Sequence, residues 1–134
     1  MPTPGADMTK TVVRTESAPA PFQGAPYSQA IAANGFVFVS GQLGLNAGDT
    51  AISGGIEEQT ERIFANLGAI LAEAGTGLDR LVKTTVFLQN LDDFQAMNGV
   101  YASHVGDRPP ARSTVEVAKL PSGALVEIEA VALL

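Results

Sequence analysis

Hydrophobic and polar positions along this chain switch between two periods, and the switches divide it into strands and helices. Apolar and β-branched runs bounded by turn residues predict six strands. Their predicted bounds are Lys10–Thr15, Gln29–Ala33, Phe36–Ser40, Arg80–Gln89, Ala111–Ala118 and Ala124–Leu133. Apolar residues at helical spacing predict one helix within residues 55–77 and another within residues 91–105. The predicted order is therefore strand, β-hairpin, helix, strand, helix, strand, strand.

Turn and cap residues add detail to this order. Asn34-Gly35 supplies the positive φ angles of a two-residue hairpin turn, and the second arm of the hairpin should end at Ser40–Gln42. Asp92 with Gln95 resembles a capping box at the start of the second helix. In the fourth strand, alternation predicts one face shared by Val82, Thr84, Val86 and Leu88.

The two helices both connect strands, and such crossovers place a helix against a sheet. Two helices on one face of a mixed sheet leave the other face uncovered. The strands carry apolar residues in both alternating sets, so the uncovered face is partly apolar: Phe87 opposes Val86 and Leu88, and Val131 and Leu133 oppose Ala130 and Ala132. We therefore expect an α+β fold that associates into an oligomer through its sheet.

The composition indicates one domain and excludes several kinds of site. The chain has 134 residues, 46% of them hydrophobic and 16% charged; residues 1–9 suggest a loose tail and residues 10–134 a single domain. The absence of cysteine and the single histidine argue against a metal site. A net charge of -6 argues against nucleic-acid binding. No run of residues is apolar and long enough for a membrane span, and we expect a cytoplasmic location.

Two charged residues in the last two strands are candidates for chemistry. Arg112 follows a Pro-Pro pair, and alternation places it on one face with Thr114 and Glu116. A guanidinium held in this way can grip a planar carboxylate through two parallel hydrogen bonds, although pairing with an acidic residue of its own chain is the more common role. Glu127 is either a surface residue or a general acid/base whose pKa is raised by burial.

Other polar residues are ambiguous by themselves. Ser40 has no nearby His–Asp pair that could activate it, and Tyr27 carries no signal of its own. Gln59 and Asn66 lie on one stripe of the first helix, where amides more often satisfy buried backbone groups than bind a ligand. His104 occupies an apolar helix position, which indicates packing or an interface.

Six motifs occur in order between about Val12 and Ala132. They are "APYSQAI", "FVSGQLGL", "EEQTERIFANLGAILAEAG", "VKTTVFLQNLDDFQAMNGVY", "PPARSTVEVAKLP" and "VEIEAVA". Together they resemble the RidA family, also called YjgF and, in older usage, endoribonuclease L-PSP. The resemblance implies a chorismate-mutase-like (bacillus type) α+β fold. It also implies a homotrimer with a barrel-like centre, helices outside and pockets at the subunit contacts.

The resemblance also implies an activity that needs neither a metal nor an organic cofactor. Members hydrolyse reactive 2-enamines and 2-imines, such as 2-aminoacrylate, to 2-keto acids and ammonia. Arg112 matches the carboxylate-binding arginine of the family and Glu127 its water-activating glutamate. The remaining matched site positions are Tyr27, Ser40, Gly41, Asn98, Thr114 and Pro121.

The chain departs from the family pattern at three places. It reads "GAPYSQ" where many members read "GPYSQ", which affects the placement of Tyr27. Thr114 replaces a common cysteine whose contact is mainly through the backbone, and His104 replaces a common aromatic residue. Two other functions stay open: a keto-acid-binding or regulatory module without turnover, and, less in keeping with the acidic composition, an endoribonuclease.

Overall fold

The computed structural model describes residues 9–134, so the predicted tail lies outside the described residues except for Thr9. These residues form six strands and two longer helices. In chain order they are β1 (Thr11–Val13), β2 (Ala30–Ala33), β3 (Phe36–Leu43), α1 (Ile56–Ala74), β4 (Leu81–Leu88), α2 (Phe94–Val105), β5 (Ala111–Glu116) and β6 (Val126–Leu133). The predicted order of elements is confirmed, and no helix in the described range is long and apolar enough to cross a membrane.

All six strands belong to one mixed sheet with the order β1-β2-β3-β6-β4-β5. Neighbouring strands are antiparallel except β4 and β5, which run parallel because α2 carries the chain back between them. The last strand, β6, inserts between β3 and β4, which leaves β5 at an edge. Strands β5 and β6 follow each other in the chain but are therefore not neighbours in the sheet.

The hairpin between β2 and β3 turns at Asn34-Gly35, whose φ angles are 52° and 83°, as predicted. Its second arm does not end at Ser40–Gln42. A bulge between Val39 and Gln42 lets β3 continue to Leu43 alongside β6. The predicted end of this arm is therefore wrong, because the long-range partner β6 extends the pairing past the local glycine.

A second irregularity corrects the predicted face of β4. The register with β6 shifts between Leu81 and Lys83, so one extra residue interrupts the alternation. As a result Leu81 is buried and Val82 is not, whereas the other three predicted members of the face are buried: Thr84, Val86 and Leu88.

The predicted capping box at α2 is also wrong. The helix begins at Phe94 after Asp93, whose side chain makes no capping hydrogen bond. The backbone N–H of Asp92 instead donates to the side chain of Asn90, and a short 3-10 turn over Leu91–Asp93 precedes the helix. At the other helix, Gly75 adopts a φ of 91° and ends α1 within the predicted range of residues 55–77.

The core lies between the two helices and one face of the sheet. Helix α1 contributes its buried apolar stripe: Ile63, Phe64, Leu67, Ile70 and Leu71. The sheet contributes buried residues from five strands, among them Val37 and Val39 of β3, Val86 of β4 and Ile128 of β6. Because these side chains are almost fully removed from water, this layer supplies most of the hydrophobic stabilisation of the chain.

The opposite face of the sheet carries no helix, as predicted. Val12, Ile31, Phe38 and Val131 occupy facing positions across four neighbouring strands on this side. Val12 is 59% exposed and Phe38 is 47% exposed. An exposed apolar row of this kind is typical of a surface that another protein covers.

Leu67→Ala should lower the free energy of unfolding by about 2–5 kcal/mol, because it leaves a cavity between α1 and the sheet. Chemical denaturation at fixed protein concentration measures the change. Glu73→Ala, at an exposed position of the same helix, is the control and should change it by less than about 0.5 kcal/mol. A similar loss in both variants would contradict the placement of the core.

Candidate functional site

The first candidate region, the glutamate cleft, has a volume of about 440 Å³ and lies beside Glu127. It brings together five of the predicted site residues: Tyr27, Ser40, Gly41, Pro121 and Glu127. Its apolar walls come from residues such as Phe22, Leu43 and Leu45. A mostly apolar concave surface with a few converging polar groups is typical of small-molecule sites.

Buried amide side chains hold the loops that line the glutamate cleft. The Gln29 side chain donates to the carbonyls of Thr15, Ala18 and Pro19, and it accepts from the backbone N–H of Thr15. These loop groups have no partner on a neighbouring strand, so the single side chain of Gln29 supplies the hydrogen bonds that a strand would otherwise make. The loop that ends in Pro19 is thereby fixed against the sheet edge.

Helix α1 fixes the other wall of the glutamate cleft through the two amides noted in its sequence. Asn66 donates to the carbonyls of Leu43 and Leu45 at 3.3 and 2.7 Å. Gln59 donates to the carbonyl of Gly54 and accepts from the backbone N–H of Leu125. The prediction that these amides satisfy backbone groups is confirmed.

Glu127 lies within space that Gly41 leaves open. A Cβ atom added to Gly41 would lie 2.0 Å from Oε2 of Glu127, so only glycine allows the carboxylate to rest against this strand. Burial raises the pKa of Glu127 above its ordinary value, and the nearby negative charge of Glu129 raises the pKa further. The carboxylate is thus suited to accept and return a proton.

The hydroxyl groups of Ser40 and Tyr27 are already oriented. Ser40 Oγ donates to the carbonyl of Ser28 at 2.6 Å, which leaves its oxygen available as an acceptor. Tyr27 accepts a 2.6 Å hydrogen bond from the backbone N–H of Phe22, which leaves its own proton free to be donated. The cleft therefore offers one acceptor and one donor close to Glu127.

The second candidate region, the arginine cleft, has a volume of about 400 Å³ between α2 and the start of β5. Its lining includes Asn98, Tyr101, Pro110 and Arg112. The single ion pair found in residues 9–134 joins His104 to Glu61, so Arg112 has no ion-pair partner within the described chain. Within residues 9–134, Arg112 therefore does not take the common alternative role of pairing with an acidic residue of its own chain.

Two polar atoms near β5 and α2 are buried without a partner. Asn98 Oδ1 and Thr114 Oγ1 find no hydrogen bond among the described residues. Buried polar atoms nearly always have a partner, so each exception needs an explanation. Both residues were predicted as ligand contacts, and Asn98 lines the same cleft as Arg112.

The sheet separates the two clefts within one chain. Arg112 pairs with Thr84, which is buried beneath the helices, and so points to the helix-covered face. Glu127 lies across from Phe87 and points to the uncovered face. Because residues in register share a face, Arg112 and Glu127 lie on opposite sides of the sheet. A single chain does not bring the two predicted catalytic residues together.

Comparison with known proteins identifies the family. The family model described as endoribonuclease L-PSP matches residues 15–134. A RutC family protein of Synechocystis is 48% identical over 130 residues, which cover 95% of this chain and 98% of that protein. The chain belongs to the RidA family.

Two further comparisons concern a named deaminase and a solved structure. A protein of Arabidopsis thaliana named Reactive Intermediate Deaminase A, chloroplastic, is 46% identical, with 96% of this chain and 68% of that protein covered. The crystal structure of E. coli TdcF with bound serine is 32% identical and has a TM-score of 0.84, with 92% and 98% covered. The chain shares the fold of solved RidA-family structures. The expected cytoplasmic location remains a prediction.

Sequence reasoning found seven of the residues that line the two clefts in this RidA-family chain: Tyr27, Ser40, Gly41, Asn98, Arg112, Pro121 and Glu127. It missed Glu129, which alternation places on the face of Glu127 two positions away, so a period-two reading of β6 could have found it. It also missed the aromatic support beneath Arg112, which comes from Phe94 and Tyr101. Those two residues read as ordinary core positions of α2, and no local signal distinguishes them.

His104, the remaining departure from the family pattern, lies on the side of α2 that faces α1. Its ring stacks on Phe64 with centroids 4.6 Å apart, and its Nε2 lies 3.0 Å from Glu61 Oε2. The packing role expected from its apolar helix position is confirmed. No group of three or more Asp, Glu or His side chains within residues 9–134 could hold a metal ion.

Glu127→Gln should increase the free energy of unfolding at pH 8 and leave it nearly unchanged at pH 4. The folded wild type binds the Glu127 proton more tightly than the unfolded chain, so its stability falls as the pH rises through this raised pKa. Glutamine carries no charge and avoids that loss. Denaturation curves at both pH values measure the difference, with Glu16→Gln at an exposed position as control. An equal effect at both pH values would contradict the buried carboxylate.

Proposed function

We propose that this chain hydrolyses reactive 2-enamines and 2-imines, such as 2-aminoacrylate and 2-iminopropanoate, to 2-keto acids and ammonia. It would then be a 2-iminobutanoate/2-iminopropanoate deaminase, a hydrolase that acts on a C=N bond. The observation that carries the proposal is that two complementary groups occupy the matched family positions: a guanidinium that can bind a carboxylate and a carboxylate that can transfer a proton. Arg112 has no ion-pair partner in the described chain, and Glu127 is a partly buried carboxylate with a raised pKa. The name of the Arabidopsis relative agrees with this function.

The active assembly in this proposal is a homotrimer with the chorismate-mutase-like, barrel-like arrangement of sheets. The apolar uncovered face of the sheet supports such an association, because it exposes Val12, Phe38 and Val115. The opposite directions of Arg112 and Glu127 support it independently. A site that contains both residues requires the arginine cleft of one subunit to meet the glutamate cleft of another.

In the composite site, Arg112 binds the carboxylate of the substrate through two parallel hydrogen bonds. Asn98 and Thr114 lie on the same side as Arg112 and offer the two unpartnered oxygens to the ligand or to the neighbouring subunit. Tyr27 and Ser40 come from the glutamate cleft with their donor and acceptor. The imine carbon is then presented toward Glu127.

The reaction needs one proton acceptor and one proton donor. An enamine first tautomerises to the imine, which reacts in its protonated form. Glu127 accepts a proton from a water molecule as the water oxygen bonds to the imine carbon, which gives a neutral carbinolamine. The Glu127 carboxyl group returns this proton to nitrogen. Its carboxylate then takes the hydroxyl proton as the C=O bond forms and the C–N bond breaks, so a 2-keto acid and ammonia leave, and the proton on Glu127 passes to solvent or to the ammonia. Positioning of the water and the substrate in the composite site lowers the entropic part of the activation barrier.

The older family label makes endoribonuclease a competing function. The net charge of -6 opposes binding to a phosphate backbone, and Glu127 and Glu129 add two carboxylates to the glutamate cleft. The chemistry of a small carboxylic acid fits these residues better. Binding of keto acids without turnover is the second competitor, and kinetic measurements separate it from hydrolysis.

Arg112→Ala should lower kcat/KM for imine hydrolysis by about 10²–10⁴-fold, because it removes two charge-assisted hydrogen bonds to the carboxylate. An amino-acid oxidase or a serine/threonine dehydratase generates the imine, and the rate of keto-acid formation is measured. Arg108→Ala, an exposed neighbour, is the matched control and should keep the wild-type rate. Sedimentation should give a trimer for all three proteins.

An unchanged rate in Arg112→Ala would exclude Arg112 as the carboxylate-binding residue. Tight keto-acid binding by the wild type with no turnover would favour the binding module. A sedimenting mass of one chain would contradict the composite site.

Mixing two inactive variants should restore activity. In trimers that are refolded from equal amounts of Arg112→Ala and Glu127→Gln chains, about three quarters contain both kinds of chain, and each of these has one complete site in three. The mixture should therefore show about one quarter of the wild-type rate per chain. Each variant refolded alone is the control and should stay inactive. No recovery from a mixed trimer would show that both residues act within the same chain.

A further inference from the structure

We propose that Tyr101 is a positioning residue that holds the guanidinium of Arg112 in place for the ligand carboxylate, and that the hydroxyl group of Thr84 holds the Tyr101 ring. The proposal deepens the proposed function and rests on it only for the identity of the ligand. Tyr101 lines the arginine cleft but is not needed to contact the reacting atoms.

Arg112 is held by aromatic rings rather than by hydrogen bonds. Its Cζ atom lies 4.7 Å from the ring centre of Tyr101 and 5.5 Å from that of Phe94. Both distances are within the range of cation–π attraction. No carboxylate of residues 9–134 pairs with the guanidinium. The contact with the rings leaves its N–H donors unused, so they are available to a bound carboxylate.

The Tyr101 side chain is itself fixed by two contacts. Its hydroxyl lies 2.6 Å from Oγ1 of Thr84, a residue with 0% exposure. The ring meets Phe64 edge to face, with centroids 5.3 Å apart and planes at 83°. Thr84 also lies directly across from Arg112 in the register of β4 and β5. Thr84, which holds the ring, and the backbone of Arg112 therefore occupy facing positions on neighbouring strands.

This arrangement has a consequence for binding. An arginine side chain loses considerable rotamer freedom when it is ordered by a ligand. A guanidinium that already contacts a fixed ring has lost much of that freedom before the ligand arrives, so less remains to be lost when two parallel hydrogen bonds form. Loosening the ring should therefore weaken carboxylate binding. It should not slow the proton transfers at Glu127, which belong to the opposite face of the sheet.

The test compares Tyr101→Leu, Tyr101→Phe and Thr84→Val with the wild type. Tyr101→Leu removes the ring, and we expect KM for the imine and Kd for 2-oxobutanoate to rise by about tenfold or more while kcat stays within about twofold. Tyr101→Phe keeps the ring and should retain most of the affinity. Thr84→Val keeps the shape but frees the tyrosine hydroxyl, and its affinity should lie between the two. Binding of 2-oxobutanamide, which lacks the carboxylate, should be equally weak in all four proteins.

A ligand-independent measurement keeps the proposal testable if the proposed function fails. The Nε proton of Arg112 should show a ring-current shift by NMR in the wild type and in Tyr101→Phe, and it should lose that shift in Tyr101→Leu. Wild-type protein that neither hydrolyses imines nor binds the keto acid would contradict the proposed function alone.

Three results would overturn the positioning role itself. The first is an unchanged Arg112 resonance in Tyr101→Leu. The second, provided that the wild type hydrolyses imines, is a loss in Tyr101→Leu that is confined to kcat. The third is a Tyr101→Phe variant that behaves like Tyr101→Leu, since a folded protein with its ring intact should still hold the arginine. Melting temperature and sedimentation of each variant separate these results from a general loss of structure.

Discussion

The coverage of only one face of the sheet is the constraint on which the rest of this molecule depends. Both helices pack against the same side of the sheet. Outside the two bulges, two-residue alternation assigns each strand residue to the helix-covered face or to the uncovered face. Arg112 falls on the helix side and Glu127 on the uncovered side. The uncovered side is also the exposed apolar surface that we expect a partner to cover. The same asymmetry therefore generates the need for association and the division of the candidate site.

The two clefts are built at some cost to the stability of the isolated chain. Glu127 is a carboxylate partly removed from water, with a second carboxylate close enough to raise its pKa. Asn98 and Thr114 carry buried oxygens without partners in the described chain. Groups of this kind are expected at functional sites, where local rules of stability are broken and the surrounding packing compensates. Here the compensation comes from buried amides such as Gln29 and Asn66, which hold the surrounding loops.

Much of the fold followed from local patterns. The periodicity of α1, the Asn34-Gly35 turn and the order of elements are short-range features, and the structure has them as predicted. The two errors within the strands share a cause. The extension of β3 and the exclusion of Val82 from the buried face both arise from bulges against β6, a strand far away in the chain. A bulge is a response to a partner strand, so the alternation of one strand does not predict it.

By itself, the sequence determined the family and five of the polar residues that line the clefts: Tyr27, Ser40, Asn98, Arg112 and Glu127. It also determined that Arg112, Thr114 and Glu116 share a face, because alternation is a local property of extended backbone. Only the tertiary structure decided that β6 enters between β3 and β4, that Arg112 and Glu127 therefore diverge, and that Tyr101 lies beneath the guanidinium. These features depend on hydrogen-bond pairing and packing between segments distant in the chain. The free energy of such contacts depends on which elements meet, and no short stretch of sequence contains that information.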